Sequence, residues 1–376
     1  MNWNSVKINI VSSGRFHVCD LARELNKNEF NIKFYSFVPN KRTRKFGLPS
    51  QCCASVFIFM LPFLFLEKKI FRRNKWASRL RINIQDYITG WYMRKCDILI
   101  AMSGDFVYTV KKAKNHGAII ILERGSKHIL EQRRILESIP SLHGKQPVPD
   151  INVKRELAGY ELADYITIAT THVKNSFLLH NYPKDKLFVN PYGVDLSMFK
   201  PLSNIKKKYD FIMVGGWSYR KGCDLIIEAI KKTKYTFLHV GAIVDIEMPK
   251  DKQFTHIDPI DQSKLITYYN QSKVFIFPSR EDGFGMVLSQ AIACNLPIIG
   301  SKDSGAEDLK NIVAHSQYIT ILRDYTVDSL LIAMEKAMQN YETIKDDNYA
   351  GDAIVNLTWE AYGKRYADFL HKILQK

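Results

Sequence analysis

Val274-Phe275-Ile276-Phe277-Pro278-Ser279-Arg280-Glu281-Asp282-Gly283-Phe284-Gly285-Met286 is the stretch that decides how this 376-residue chain folds. Its first four residues are a β-branched and aromatic run of strand length, and Pro278 stops a central strand because it has no N–H for the ladder. Gly283 and Gly285 let the next backbone approach a ligand closely, and from Met286 the composition is helical, carrying Gln290 into the second turn. Asn295-Leu296-Pro297 closes that helix, and Ile298-Ile299-Gly300 begins another strand. Ser304-Gly305 gives a second flexible turn ahead of Glu307. Strand, glycine turn, helix and strand make a parallel α/β unit, in which ligands sit at the carboxyl ends of the strands and helix-start N–H groups face an anion. A glycine pair by itself fits an ordinary crossover without a ligand equally well.

A second segment tips the balance toward a ligand. Asp210-Phe211-Ile212-Met213-Val214 is an apolar strand, Gly215-Gly216 turns it, and Arg220-Lys221-Gly222 precedes a helical pattern from Leu225 to Ile230. Two cations beside a glycine turn and a helix start suit a diphosphate, because charge and N–H donors point the same way. Upstream, Val189-Asn190-Pro191-Tyr192-Gly193-Val194-Asp195 reads as a turn-rich link between two α/β halves.

The link, Lys221-Gly222, the Phe284-Gly285 loop and Glu307, in that order and spacing, resemble the family-four retaining glycosyltransferases of GT-B architecture. The likeness is good over the second half of the chain and loose over the first. It implies an α/β fold of two Rossmann-like doubly wound domains facing a central cleft. Residues 1–188 would form the acceptor side and 189–357 the nucleotide-sugar donor domain, with a terminal helix over 358–376 packing back on the first. Asp282 and Lys221 would be catalytic. The donor would be held by Gly14, Arg15, Gly215, Gly216, Arg220, Lys221, Glu281, Gly283, Phe284, Gly285, Met286, Gln290 and Glu307. This chain departs from the family pattern at three of these positions. Asp282 and Gln290 stand where the family has two glutamates, and Gly216 stands where it has an arginine. Arg220 would supply the missing cation, Glu281 adjoins the shortened acid, and Gln290 can still hydrogen-bond a ribose hydroxyl without charge.

The first half reads as its own doubly wound domain: Lys7 to Val11 a strand, Gly14 its turn, Cys19 to Leu25 a helix, Ile32 to Val38 a strand. Asp97 to Met102 and Ala118 to Leu122 are further strands, the latter running into Glu123-Arg124-Gly125-Ser126-Lys127-His128. A polar cluster at that strand end is where an open α/β sheet places its site. Arg124 and His128 are the catalytic candidates there and Glu123 the next; otherwise Ser126 caps a helix and Glu123 pairs with Arg124. His172, His239 and His256 read as structural.

Composition fits a large enzyme with two cores: 46% of residues are hydrophobic. The six cysteines show no Cys-x-x-Cys spacing, and Val6 to Ser12 reads as a strand rather than a signal segment. A reduced cytoplasmic setting is the expectation. Asp245-Ile246-Glu247 lacks the neighbours of a metal-binding acid pair, so no metal and no cofactor are expected, the nucleotide diphosphate sugar acting as co-substrate.

The formal net charge of +16 is uneven: residues 1–150 hold 26 Lys and Arg against 11 Asp and Glu. Lys41-Arg42-Thr43-Arg44-Lys45 precedes the apolar run Val56 to Leu66, and further cations follow to Arg81. That run is shorter than the ~20 apolar residues of a membrane span and contains Pro62. Residues 41–81 either lie in an anionic membrane interface or form a buried strand or helix with solvated flanking charges. A nucleic-acid partner is not expected, since no binding motif accompanies the cations.

The resemblance implies a retaining, metal-independent hexosyl transfer from a nucleotide sugar to a glycan or polyprenyl-linked acceptor. Bacterial capsule or lipopolysaccharide assembly is the implied setting, with the protein cytoplasmic or peripheral on the inner face of the cell membrane. The competing readings are a nucleotide-sugar epimerase or hydrolase on the same frame and a non-catalytic nucleotide-sugar-binding protein.

Overall fold

The computed structural model describes residues 3–69, 75–203, 205–344 and 348–375. Its first sheet is built from β1 (Lys7–Ser12), β2 (Asn31–Ser36), β3 (Cys53–Ser55), β4 (Ile98–Met102), β5 (Ile119–Arg124), β6 (Tyr165–Ile168) and β7 (Leu187–Val189). The helices around it are α1 (Phe16–Lys27), α2 (Asn40–Arg44), α3 (Phe57–Lys69), α4 (Lys75–Tyr92), α5 (Val107–Asn115), α6 (Ile129–Glu137), α7 (Asp150–Leu162) and α8 (Thr171–Leu179). The second sheet holds β8 (Tyr209–Val214), β9 (Phe237–Val240), β10 (Phe254–Ile257), β11 (Ser272–Phe277), β12 (Ile298–Ser301) and β13 (Ile319–Leu322). Its helices are α9 (Cys223–Lys231), α10 (Gln262–Asn270), α11 (Met286–Ala293), α12 (Ala306–Lys310) and α13 (Val327–Thr343), and α14 (Trp359–Leu374) ends the chain.

The strand orders are β3-β2-β1-β4-β5-β6-β7 and β10-β9-β8-β11-β12-β13, and the pairings within both sheets are parallel. Parallel sheets need both faces covered, which is why β4 and β8 are near-continuous apolar runs. In each sheet the order reverses beside the first strand, between β1 and β4 and between β8 and β11. The crevices outside those strand ends are the places such folds offer a ligand.

The two halves are tied by the link and by α14. Arg365 donates to the Asn190 side chain at 2.7 Å and to the Pro191 carbonyl at 2.8 Å. Gly193 is needed where it stands, since a β-carbon there would lie 2.6 Å from the Trp359 α-carbon. Beyond Trp359, α14 packs on the first domain: Phe369 stacks on Phe188 at 4.2 Å, and Gly363 lies so close to Glu24 that a β-carbon would approach its Cβ to 2.2 Å. A buried apolar cluster runs from β1 and α1 through Tyr192, Val194 and Tyr366 into the second domain.

Residues 56–66 do not form a strand, and they are buried only in part, Val56 and Met60 being fully enclosed. From Phe57 onward they form most of α3, with Met60 turned inward and Ile58 74% exposed. The basic side chains from Lys68 to Arg79 lie outside the residues whose side chains are described.

Candidate active-site cleft

The two switch-point crevices face each other. On the second domain, Gly215 takes φ +136° and its carbonyl accepts from His239 Nε2 at 2.8 Å. Gly241 admits that carbonyl, because a β-carbon there would lie 1.9 Å from it. Gly222, at φ +72°, does the same for the neighbouring strand: its missing β-carbon leaves room for the Pro278 carbonyl, which would otherwise be 2.2 Å away. The turn after β8 and the loop after β11 are thereby pressed together, and Arg280 seals the contact by donating to the Tyr219 carbonyl at 2.6 Å and both Asp224 oxygens at 2.7 and 2.8 Å.

This packing brings Lys221 and Asp282 into a buried ion pair, with the Lys221 ammonium also 4.7 Å from the Phe277 ring centroid. Burial alone would raise the Asp282 carboxyl, but Lys221 and Arg220 hold it below the usual carboxylate range. Burial lowers the Lys221 ammonium, and the Asp282 carboxylate opposes that shift. Phe284 N–H donates to Asp282 Oδ1 at 3.1 Å, and Gly285, at φ +76°, opens α11. Glu281 is fully buried and accepts from Arg220 at 3.1 Å, from Gln132 at 3.1 Å and from the Lys127 N–H at 3.3 Å. Met286 is exposed at the start of α11, one turn before the buried Gln290, whose Oε1 accepts from Tyr269 at 2.9 Å. Glu307 pairs with Arg323 at 2.5 Å and so has a partner other than a donor.

The first domain meets this loop directly. Gly283 lies against Gly125, where a β-carbon would come within 1.9 Å of the carbonyl oxygen. Thr170 donates to the Gly283 carbonyl at 2.9 Å, and Lys127 pairs with Asp303 at 2.9 Å. The turn after β1 holds Gly14, and Arg15 stacks on Phe46 at 3.5 Å while reaching Gln262 of α10 at 3.5 Å. Next to it Phe16 adopts φ +34° with its side chain half exposed, a left-handed conformation that a bulky residue rarely holds.

The polar cluster after β5 is divided. Glu123 is buried within the strand and accepts from Thr167 at 2.6 Å, from Tyr366 of α14 at 2.8 Å and shares a 2.9 Å contact with His17. Its partners are these, not Arg124, and its oxygens are consumed by structure. Arg124 pairs with Glu156 at 2.5 Å and donates to the Lys127 carbonyl and Gln132. It lines a cavity of about 380 Å³ together with Asp105, Gln132, Arg155, Glu156 and Arg220. His128, not Ser126, caps α6, accepting from Leu130 N–H at 3.4 Å. Its ring stacks on His180 at 4.3 Å beside Tyr160 and Phe177, where burial and His180 push it down to about 4. His128 does not line that cavity. His172 has both ring nitrogens buried without a hydrogen-bond partner, near Lys127, Asp303 and Asp282. Among the described residues no three His, Cys, Asp or Glu side chains cluster as metal ligands.

Gln132, Asp105, Arg155 and Glu156 were not singled out in the sequence. The signal for Glu156 was present: it lies on one helical face with Val153 and Tyr160, all three buried.

Two facing parallel sheets with glycine turns at their switch points define a two-domain protein of GT-B architecture. Residues 196–352 match the model of the family described as glycosyl transferases group 1. Over 252 residues the chain is 26% identical to a probable sucrose-phosphate synthase of Thermosipho melanesiensis, covering 59% of this chain and 57% of that one. The chain thus spans little more than half of that relative's length. Among solved structures, sucrose-phosphate synthase from Thermosynechococcus elongatus superposes with a TM-score of 0.70 at 13% identity, covering 98% of this chain and 99% of that one. The Anabaena protein HepE in complex with UDP-glucose superposes with a TM-score of 0.67 at 12% identity, covering 97% and 99%. These likenesses give the fold.

Proposed function

We propose that this protein is a retaining, metal-independent glycosyltransferase that moves a hexose from a nucleotide diphosphate sugar to a glycan or lipid-linked acceptor. Residues 189–357 serve as the donor domain and residues 1–188 as the acceptor side. The observation that carries this reading is the pair of adjacent ion pairs, Lys221 with Asp282 and Arg220 with Glu281, between two glycine turns at the switch point of the second sheet. The match of residues 196–352 to the group 1 family model supports it.

The chemistry follows from charge. Breaking the bond between the sugar C1 and the phosphate oxygen leaves negative charge on the diphosphate. On this reading Lys221, Arg220 and backbone N–H groups at the start of α11 receive that charge. A bound diphosphate takes the place of Asp282 beside Lys221 and frees the carboxylate to orient sugar hydroxyls, while the Gln290 amide meets the ribose. The acceptor hydroxyl bonds to C1 on the face the diphosphate leaves, and its proton passes to a departing phosphate oxygen. No nucleophilic side chain and no bound metal take part. Bacterial surface polysaccharide assembly at the cytoplasmic face of the membrane is the setting this reading favours.

The test is turnover followed by proton NMR with UDP-, GDP- and ADP-hexoses and candidate acceptors. The reading predicts acceptor-dependent product with the anomeric configuration of the donor. Donor breakdown unchanged by any acceptor would assign a hydrolase or epimerase instead, and tight donor binding without turnover a binding protein.

A further inference from the structure

We propose that α3 and the outer face of α4 seat the first domain on an anionic lipid bilayer. α4 is turned inside out for a helix in water. Its inward face is polar: Gln85, Asp86 and Thr89 are buried, with Gln85 donating to the Ser12 carbonyl at 3.0 Å and Asp86 accepting from the Tyr108 and Thr109 N–H groups at 2.9 Å. Its outward face carries Leu80, Tyr87 and Trp91 at helical spacing and 51%, 60% and 71% exposed, with Asn83 exposed at their margin. α3 lies beside it, Phe59 meeting Trp91 edge-on at 6.1 Å, and there Ile58 and Leu61 are exposed as well. Adjoining apolar faces of this kind mark a contact surface.

Charge identifies the occupant. α2 adjoins the start of α3, Asn40 accepting from the Ser55 N–H at 3.1 Å, and it exposes Lys41, Arg42 and Arg44. Arg94 and Lys95 are exposed just past the end of α4. No acidic residue occurs between Glu29 and Glu67. A second copy brought against this face would oppose cations to cations. An anionic bilayer supplies an apolar layer and negative headgroups together, and cations flanking an exposed apolar face match that pair. α3, 13 residues long with Pro62 inside it, is about 20 Å long and lies along the interface. No described helix is long and apolar enough to cross a membrane.

The seat adjoins the cleft, since Ile82 and Asn83 of α4 line the same cavity as Arg124 and Arg220. On the transfer reading, the acceptor is therefore a lipid-linked glycan whose head enters that cavity from the membrane surface. The seat itself does not depend on that reading.

The experiment is co-sedimentation of the full chain with vesicles of phosphatidylcholine alone and of phosphatidylcholine containing one third phosphatidylglycerol. Binding is expected to the anionic vesicles, to fall with salt, and to weaken about fivefold for each cation lost in Lys41→Ser and Arg42→Ser. Tyr87→Ser with Trp91→Ser is expected to weaken it about tenfold or more while the chain stays folded by circular dichroism, the lost ring contacts with Tyr108 and Phe59 lying at the surface. Quenching of wild-type tryptophan fluorescence by brominated lipid, lost in Trp91→Phe, reads the same contact without a destabilising change. Wild-type protein left in the supernatant, variants that bind as well as wild type, or a concentration-dependent dimer abolished by Trp91→Ser would each overturn the proposal. A chain that binds vesicles but no nucleotide keeps the seat and loses the transfer reading.

Discussion

Replacing Lys221 with methionine removes one ammonium and retains most of the stem. Asp282 is then left buried with the Phe284 N–H at 3.1 Å and Arg220 as its remaining favourable charge. Removing one partner of a buried pair costs about 3–5 kcal/mol, and Arg220 holds the loss to about 3 kcal/mol. In a cooperative unit of this domain's size that is a fall in melting temperature of about 6–12 °C. Asp282→Leu strands the ammonium in the same way, whereas the double variant strands neither. The two single losses should therefore exceed the double loss by about 2 kcal/mol, measured by urea and thermal unfolding of all four proteins. The pH dependence has a defined sign. The folded Asp282 carboxyl lies below its unfolded value, so the pair stabilises above the unfolded value and is lost as pH falls through the folded one. The gap between wild type and Lys221→Met should shrink in acid. Additive single losses, within about 0.5 kcal/mol, or a gap that widens in acid, would refute the pairing.

Gly283→Ala places a β-carbon against the Gly125 carbonyl, so it is expected to force the domains apart, raising the radius of gyration in solution scattering and abolishing turnover while each sheet stays folded. Glu123→Gln disturbs an acceptor of three contacts and should cost about 1–3 kcal/mol in urea unfolding without changing nucleotide affinity. His128, His172 and His239 are held neutral by burial, at about 4, about 3 and about 4. Because the unfolded histidines take up protons at higher pH, stability should fall as pH drops from about 6.5 toward 4, and His172→Phe should flatten that slope in thermal melts.

The second domain was legible because its turn chemistry is local. Gly215, Gly222 and Gly285 fall in the left-handed region, and Pro278 ends β11 one residue after the apolar run. The same locality let the Lys221 and Asp282 segments be recognised, although their direct pairing depends on Gly222 admitting the Pro278 carbonyl. The partners of Glu123 and His128 were not legible, for the opposite reason. Tyr366, which consumes a Glu123 oxygen, lies 243 residues away, and the aromatic cluster around His128 is assembled from α7 and α8 as well as α6. Nothing in the residues next to Glu307 announces Arg323. α3 was ambiguous because an apolar run of that length reads alike as buried element or interfacial helix, and only its neighbours decide exposure. Phe16 carries no sequence signal for its left-handed backbone.

The measurement that reaches the central claim most directly is calorimetric titration of UDP, GDP and ADP into wild-type protein and Lys221→Met. One nucleoside diphosphate is expected to bind, and the variant to bind it at least tenfold more weakly, the loss of about 1.4 kcal/mol or more that removing a charged hydrogen bond entails. If none of the three binds to folded wild-type protein, or the variant binds as tightly as wild type, the cleft at Lys221 and Asp282 is not a nucleotide-sugar site.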